Sequence, residues 1–122
     1  MRIFNIEKDN KKFMFINGSR NTQHGFAHDC TMFINDVETQ TAHCYYLNRT
    51  WEMYTYQTAC LSAVRQEIER YKKEQIADFK ELNGYKKMTA TRTTQFEKEF
   101  SMHPYYRTLK ACYDELKNKC FY

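Results

Sequence analysis

A chain of 122 residues, 42% hydrophobic and 28% charged, holds enough sequence for one domain and is not the composition of a disordered polymer. No apolar run approaches the roughly 20 residues of a membrane span, and the N-terminus turns charged by Glu7 without a secretory apolar core. The net charge is +4, and the basic excess lies in residues 84–122, a distribution that suits an anionic partner.

Residues 2–6 and 12–17 read as short strands around a turn at Glu7–Lys11. The stretch from Gly18 to Gly25 is polar and bounded by glycines, and reads as a loop. Phe26–Ile34 and Val37–Leu47 return to strand chemistry on either side of Asn35-Asp36, a pair suited to a tight hairpin turn. Residues 1–49 are therefore expected to form a four-stranded antiparallel meander, which needs apolar cover on one face.

Thr50 as N-cap and Glu52 in the first turn open a helix with no Gly or Pro before Asn83-Gly84. Tyr54, Leu61, Val64, Ile68, Tyr71, Phe79 and Leu82 recur within it near helical spacing. Such a helix is about 45 Å long, more than a domain of this size spans, so it either kinks or projects towards another subunit. Gly84 suits the position just past its end. After the basic linker Tyr85–Arg92, Phe96 and Phe100 share one side of a second helical pattern. Pro104 starts or kinks a last helix with the stripe Tyr105, Tyr106, Leu109, Cys112, Tyr113, Leu116 and Cys120. The expected fold is α+β, one domain over residues 1–122: the sheet in 1–49, then two long helices in 50–122.

The succession Asn17-Gly18-Ser19-Arg20, Gly25-Phe26-Ala27-His28-Asp29, Tyr46-Leu47-Asn48-Arg49-Thr50-Trp51-Glu52 and Asn83-Gly84-Tyr85-Lys86-Lys87-Met88-Thr89-Ala90 resembles a group of small uncharacterised proteins from phages and prophages of Gram-positive bacteria. The resemblance covers roughly residues 12 to 100. It implies a mobile-element accessory protein in the cytoplasm of a host bacterium, and it carries no activity. The layout of sheet then helices is similar to that of the anti-Thoeris sponge proteins of phages, which bind cyclic ADP-ribose-type signals without destroying them. That likeness is one of architecture, and architecture does not fix function.

Three kinds of chemistry compete. His24, His28, Cys30, His43, Cys44 and Cys60 lie between positions 24 and 60, and imidazole and thiolate are zinc ligands. On strands His28 and Cys30 share a face while His43 and Cys44 diverge, so His28, Cys30 and one of His43 or Cys44 could meet. No paired spacing such as Cys-x-x-Cys supports this, and the bland reading makes the cysteines core residues and the histidines surface groups. A Cys30 nucleophile with His28 or His43 as base and Asp29 as the orienting acid has the right residue types, but Asp29 follows His28 directly and strand alternation sends those two apart. The acids of the long helix, Glu67, Glu69, Glu74, Asp78 and Glu81, alternate with Lys and Arg like a solvated face. The expectation is therefore no catalytic residue, no enzyme and no cofactor, with zinc as the alternative.

Anion binding has the broader support. Arg20 sits among hydrogen-bond donors, and Arg49 precedes the start of the long helix, where free N–H groups favour an anion. Lys86, Lys87 and Arg92 form a run without acids beside Tyr85. Arg20, Arg49, Lys86, Lys87 and Arg92 are the expected ligand-binding residues, the last three reaching the site by a bend of the helix or from a second subunit. The expected function is non-enzymatic counter-defence, by binding a nucleotide signal or nucleic acid. The alternative is an inhibitor that binds a host defence protein, as anti-CRISPR proteins do. Tyr71, Phe79, Tyr105, Tyr106 and Tyr113 exceed what a small core needs, and point to a homodimer or higher homo-oligomer.

Overall fold

The computed structural model describes residues 2–22, 25–45 and 52–119. Four antiparallel strands follow one another in sequence order as a meander: β1 (Arg2–Lys8), β2 (Lys11–Thr22), β3 (Gly25–Ile34) and β4 (Val37–Tyr45). The β1–β2 and β3–β4 connections are two-residue turns with positive φ at both residues. Asp9 and Asn10 have φ 49° and 66°, and Asn35 and Asp36 have 49° and 67°. This is the hairpin geometry that matches strand twist, and Asn and Asp reach it more cheaply than other side chains. Asn35 reinforces its turn by accepting the Lys12 N–H on Oδ1 at 2.9 Å.

Residues 18–22 of the polar stretch expected as a loop are instead an extension of β2, and Gly25 opens β3. Gly18, Ser19, Arg20 and Asn21 all pair with β3, Arg20 opposite Ala27. Pairing satisfies the backbone groups of both strands, which outweighs the loop chemistry of these side chains.

The helical part has three helices among the described residues, where two were expected. α1 (Glu52–Asn83) is one unbroken helix of 32 residues. α2 (Ala90–Phe100) starts at Thr89, whose hydroxyl accepts the Arg92 N–H at 3.3 Å. Pro104 does not kink a longer helix. It occupies the first turn of α3 (Pro104–Asn118), and His103 before it is extended, as a residue preceding proline prefers. None of these helices is long and apolar enough to cross a membrane.

α1 ends in a complete glycine cap. Gly84 has φ 67°, its N–H reaches the Glu81 carbonyl at 3.3 Å, and the Tyr85 N–H reaches that of Lys80 at 2.8 Å. The Tyr85 ring then packs 5.8 Å from that of Phe79, the apolar contact that accompanies such caps.

Two helices cover one face of the sheet. The small residues Ala59, Cys60 and Ala63 let α1 lie close on β3 and β4. α3 returns along β1, tied by Lys8–Glu115 at 2.8 Å and by Thr108 donating to Asp9 at 2.8 Å. Gln57 Nε2 binds the end of α3 to α1 through the Leu116 carbonyl at 2.7 Å. Ile6, Phe13, Phe15 and Met32 from the sheet meet Val64, Leu109 and Leu116 from the helices in the core.

Past Arg70, α1 overhangs the sheet by about 20 Å. α2 folds back on this arm, and Phe79, Phe96 and Phe100 make a second small core flanked by Tyr71, Tyr85 and Tyr106. The surplus length and aromatic content of the helices is thus largely used within the chain.

Candidate functional site

The inner face of the sheet changes character along its strands. Near the tight turns it is apolar, with Ile6, Phe13 and Ile34 side by side. Towards the other end the register places Asn17 beside Cys30, Ser19 beside His28, and His28 beside Cys44. Asn17 and His28 are buried polar residues. Asn17 donates to the Phe15 carbonyl at 3.4 Å and accepts the Cys60 thiol at 3.5 Å. The Tyr56 ring meets His28 edge-on at 4.5 Å, and the Arg2 guanidinium lies 5.8 Å from the same tyrosine ring.

Tyr56 stands one turn into α1, so its contact with His28 fixes where that helix begins. The N-terminus of α1 lies at the end of the sheet to which Arg20 also belongs, but Arg20, opposite Ala27 and two residues beyond Gly18, holds a position in the outer row with Asp29, not in the inner row of Asn17 and His28. The backbone of Arg20 is described and its side chain is not. Arg49 and His24 lie outside the described residues.

Lys86, Lys87 and Arg92 occupy the opposite pole. α1 is one continuous helix, and its 32 residues set the linker about 48 Å from the helix start. Within one chain the linker cannot share a site with Arg20. Lys86 and Lys87 are exposed and make no ion pair among the described residues. Arg92 is committed locally: its guanidinium stacks 3.8 Å from the Tyr85 ring centre and donates to the Lys87 carbonyl at 3.0 Å.

His28, Cys30 and Cys44 share the inner face, while His43 points to the outer one and bonds Asp29 Oδ1 at 2.5 Å. Among the described residues no group of three or more His, Cys, Asp or Glu side chains converges as a metal site. Cys30 instead donates to Cys60, with the sulfurs 3.8 Å apart. That bond and burial push the Cys30 thiol far above its ordinary value; burial also raises Cys44, and takes Cys112 to about 12. All three are therefore protonated at neutral pH, and a thiol is a poorer nucleophile and ligand than a thiolate. Asp29 cannot orient His28, because it sits on the other face with His43. His28 itself, grouped with surface histidines in the sequence reading, is buried.

Glu67 is the residue that the sequence hid. It was grouped with the solvated acids of the long helix, yet it is 1% exposed. Arg70 donates to it from Nε at 2.6 Å and from Nη2 at 3.0 Å, Gln40 from β4 at 3.1 Å, and Tyr105 from α3. It joins the sheet to both covering helices. It shares a seven-residue spacing with exposed Glu74, yet it also stands three residues from buried Val64 and four from buried Ala63; that phase was the available signal, and its partners come from elements remote in sequence.

An open cleft of about 380 Å³ runs between α1, α2 and α3, floored by Ile68, Phe100 and Tyr106 and bridged by Lys72–Glu97 at 3.3 Å. Lys72 is committed to Glu97 and the remaining charge is the acid Glu69, so the cleft presents no convergent set of donors for an anion. Against protein-family models, curated proteins and solved structures alike, the chain finds no match.

Proposed function

We propose that the chain is a non-enzymatic binding protein of a phage or related mobile element, acting in counter-defence by capturing an anionic nucleotide signal or a nucleic-acid segment. The site is the polar end of the sheet. Arg20 and Arg49 supply the charge, and the first turn of α1 supplies N–H groups and the positive end of its dipole. One observation supports this reading: the buried polar residues Asn17 and His28, with Tyr56 packed on His28, lie at the end of the sheet where α1 starts and where Arg20 holds a position in the outer row of β2. Buried polar groups are costly in a small core, and a binding site is a use that justifies them. Lys86, Lys87 and Arg92 enter this site only from a second copy.

The test is a calorimetric titration of wild type, Arg20→Ala and Arg49→Ala with cyclic nucleotides and short oligonucleotides. Wild type should bind one class, and each substitution should weaken it by about 1.5–3 kcal/mol. No binding by wild type, or equal binding by both variants, refutes the site.

A second reading, an inhibitor docking on a host defence protein, draws on the arm, where Leu82 and Met102 are 86% and 67% exposed. Salt separates the two: phosphate binding falls steeply as salt rises, and an apolar protein contact does not.

A further inference from the structure

Within one chain, the site at the polar end of the sheet leaves the basic tip of the arm unused. From Phe79 to Phe96 the chain carries four cations, Lys80, Lys86, Lys87 and Arg92, against the one acid Glu81, which amounts to three of its four net positive charges. A charged linker is ordinarily a flexible, solvated segment. This one is pinned on both sides. Tyr85 and Met88 pack into the second core, and the two residues between those anchors, Lys86 and Lys87, are both exposed. Arg92 fixes the backbone there by donating to the Lys87 carbonyl at 3.0 Å, with its guanidinium 3.8 Å from the Tyr85 ring centre. Two adjacent like charges on a fixed backbone repel each other, and among the described residues no carboxylate pairs with either lysine. Asp78 and Glu99 line the flank of the arm between α1 and α2 and repel phosphate, which confines an anion to the tip.

We propose that the tip of the arm is a docking surface for single-stranded nucleic acid, with Lys86 and Lys87 on the phosphates and a base stacked on the face of the Arg92 guanidinium turned away from Tyr85. The proposal is separate from the site at the other pole and does not rest on it. Charge complementarity and the stacked guanidinium name the partner. Paired lysines suit a line of phosphates, and a guanidinium plane is a surface on which an unpaired base stacks. A duplex hides the faces of its bases, so the stack favours a single strand. The arm carries this surface about 20 Å beyond the sheet, where a strand reaches it without any movement of the main core. With about three phosphates engaged, binding is modest, falls with salt and reads no sequence.

Fluorescence anisotropy of a labelled mixed-sequence strand against the full chain tests this, beside the matching duplex and with salt raised from about 50 mM. The strand should bind more tightly than the duplex. Lys86→Ala and Lys87→Ala should each lower the slope of log affinity against log salt by about 0.7, and Lys86→Glu with Lys87→Glu should abolish binding. Both lysines are exposed, so these variants keep the fold, which circular dichroism checks. Arg92→Lys keeps the charge and removes the stacking plane, so it should erase the preference for the strand at an unchanged slope. A slope that falls as well would make Arg92 a brace for the lysines and overturn the base contact, as would equal affinity of wild type for strand and duplex. No binding at about 50 mM salt overturns the proposal, and so does binding that the double Glu variant leaves intact. Loss with Arg20→Ala but not with the lysine variants assigns the strand to the sheet pole and overturns it too. Pelleting with phosphatidylserine vesicles that depends on the same lysines, in a protein that binds no strand, makes the tip a membrane contact instead.

Discussion

Tyr105 on α3 donates its hydroxyl proton to the carboxylate of Glu67 on α1, and Gln40 on β4 donates to the same carboxylate at 3.1 Å. One acidic side chain thus fixes the sliding position of two helices and a strand relative to one another. Apolar packing tolerates small shifts along a helix, whereas hydrogen bonds of this kind accept only one register.

Glu67→Ala leaves Tyr105 and Gln40 without their acceptor and should destabilise the protein by about 2–4 kcal/mol. Arg70 is half-exposed and recovers water, which keeps the loss from being larger. Urea unfolding should show a lower midpoint at an unchanged slope. A shift of only a few tenths of a kcal/mol would mean that the network does not hold the layers.

The same carboxylate gives the fold a pH dependence. Burial alone would raise the Glu67 carboxyl, but the hydrogen bonds from Arg70, Tyr105 and Gln40 prevail and hold it below its ordinary value of 4.5. A carboxyl depressed in the folded state stabilises the fold above its unfolded value, and that contribution is lost as the pH falls through the folded value. The urea midpoints of wild type and Glu67→Gln should therefore differ near neutrality and converge below pH 4.5. A gap that stays constant into acid contradicts the network.

Gly84→Ala tests the cap of α1. A Cβ there meets nothing within 4 Å, so the cost is the backbone at φ 67° and nothing else, about 1 kcal/mol. Hydrogen exchange should quicken in α2 and the end of α1 and stay unchanged in the sheet. Quickening throughout the chain would show that the arm and the main core unfold together.

The thiols should separate by burial. Cys30, Cys60 and Cys112 are wholly buried and Cys44 only partly, so native alkylation should reach Cys44 first among these four. The other three should react at the rate of global opening. Equal rates at all four would contradict the packing of α1 on β3.

The sheet and the helix ends were legible because local chemistry sets them. Asn35-Asp36 specifies its turn, Gly84 its cap, and Pro104 a helix start. The extension of β2 through Arg20 was not legible, since Gly18 and Ser19 carry loop chemistry and only the facing strand reveals their pairing. The break between α2 and α3 has no glycine, and Ser101-Met102-His103 gave no signal apart from the proline after it. Topology made it legible that β2 ends where α1 starts, but not that Arg20 sits in the outer row, because a loop reading of residues 18–25 assigns it no face. The burial of His28 and Glu67 was not, because it depends on Tyr56, Gln40 and Tyr105 arriving from elsewhere.

The pairing of β1 with α3 has a consequence for synthesis. Asp9 waits for Thr108, and Lys8 for Glu115. As the chain leaves the ribosome, both hairpins can close within microseconds, and α1 can settle on β3 and β4 as soon as it emerges. Ile6 and its neighbours stay bare until the last helix is made. Nascent chains stalled before Pro104 therefore present a half-covered sheet, the kind of surface that chaperones hold and proteases degrade.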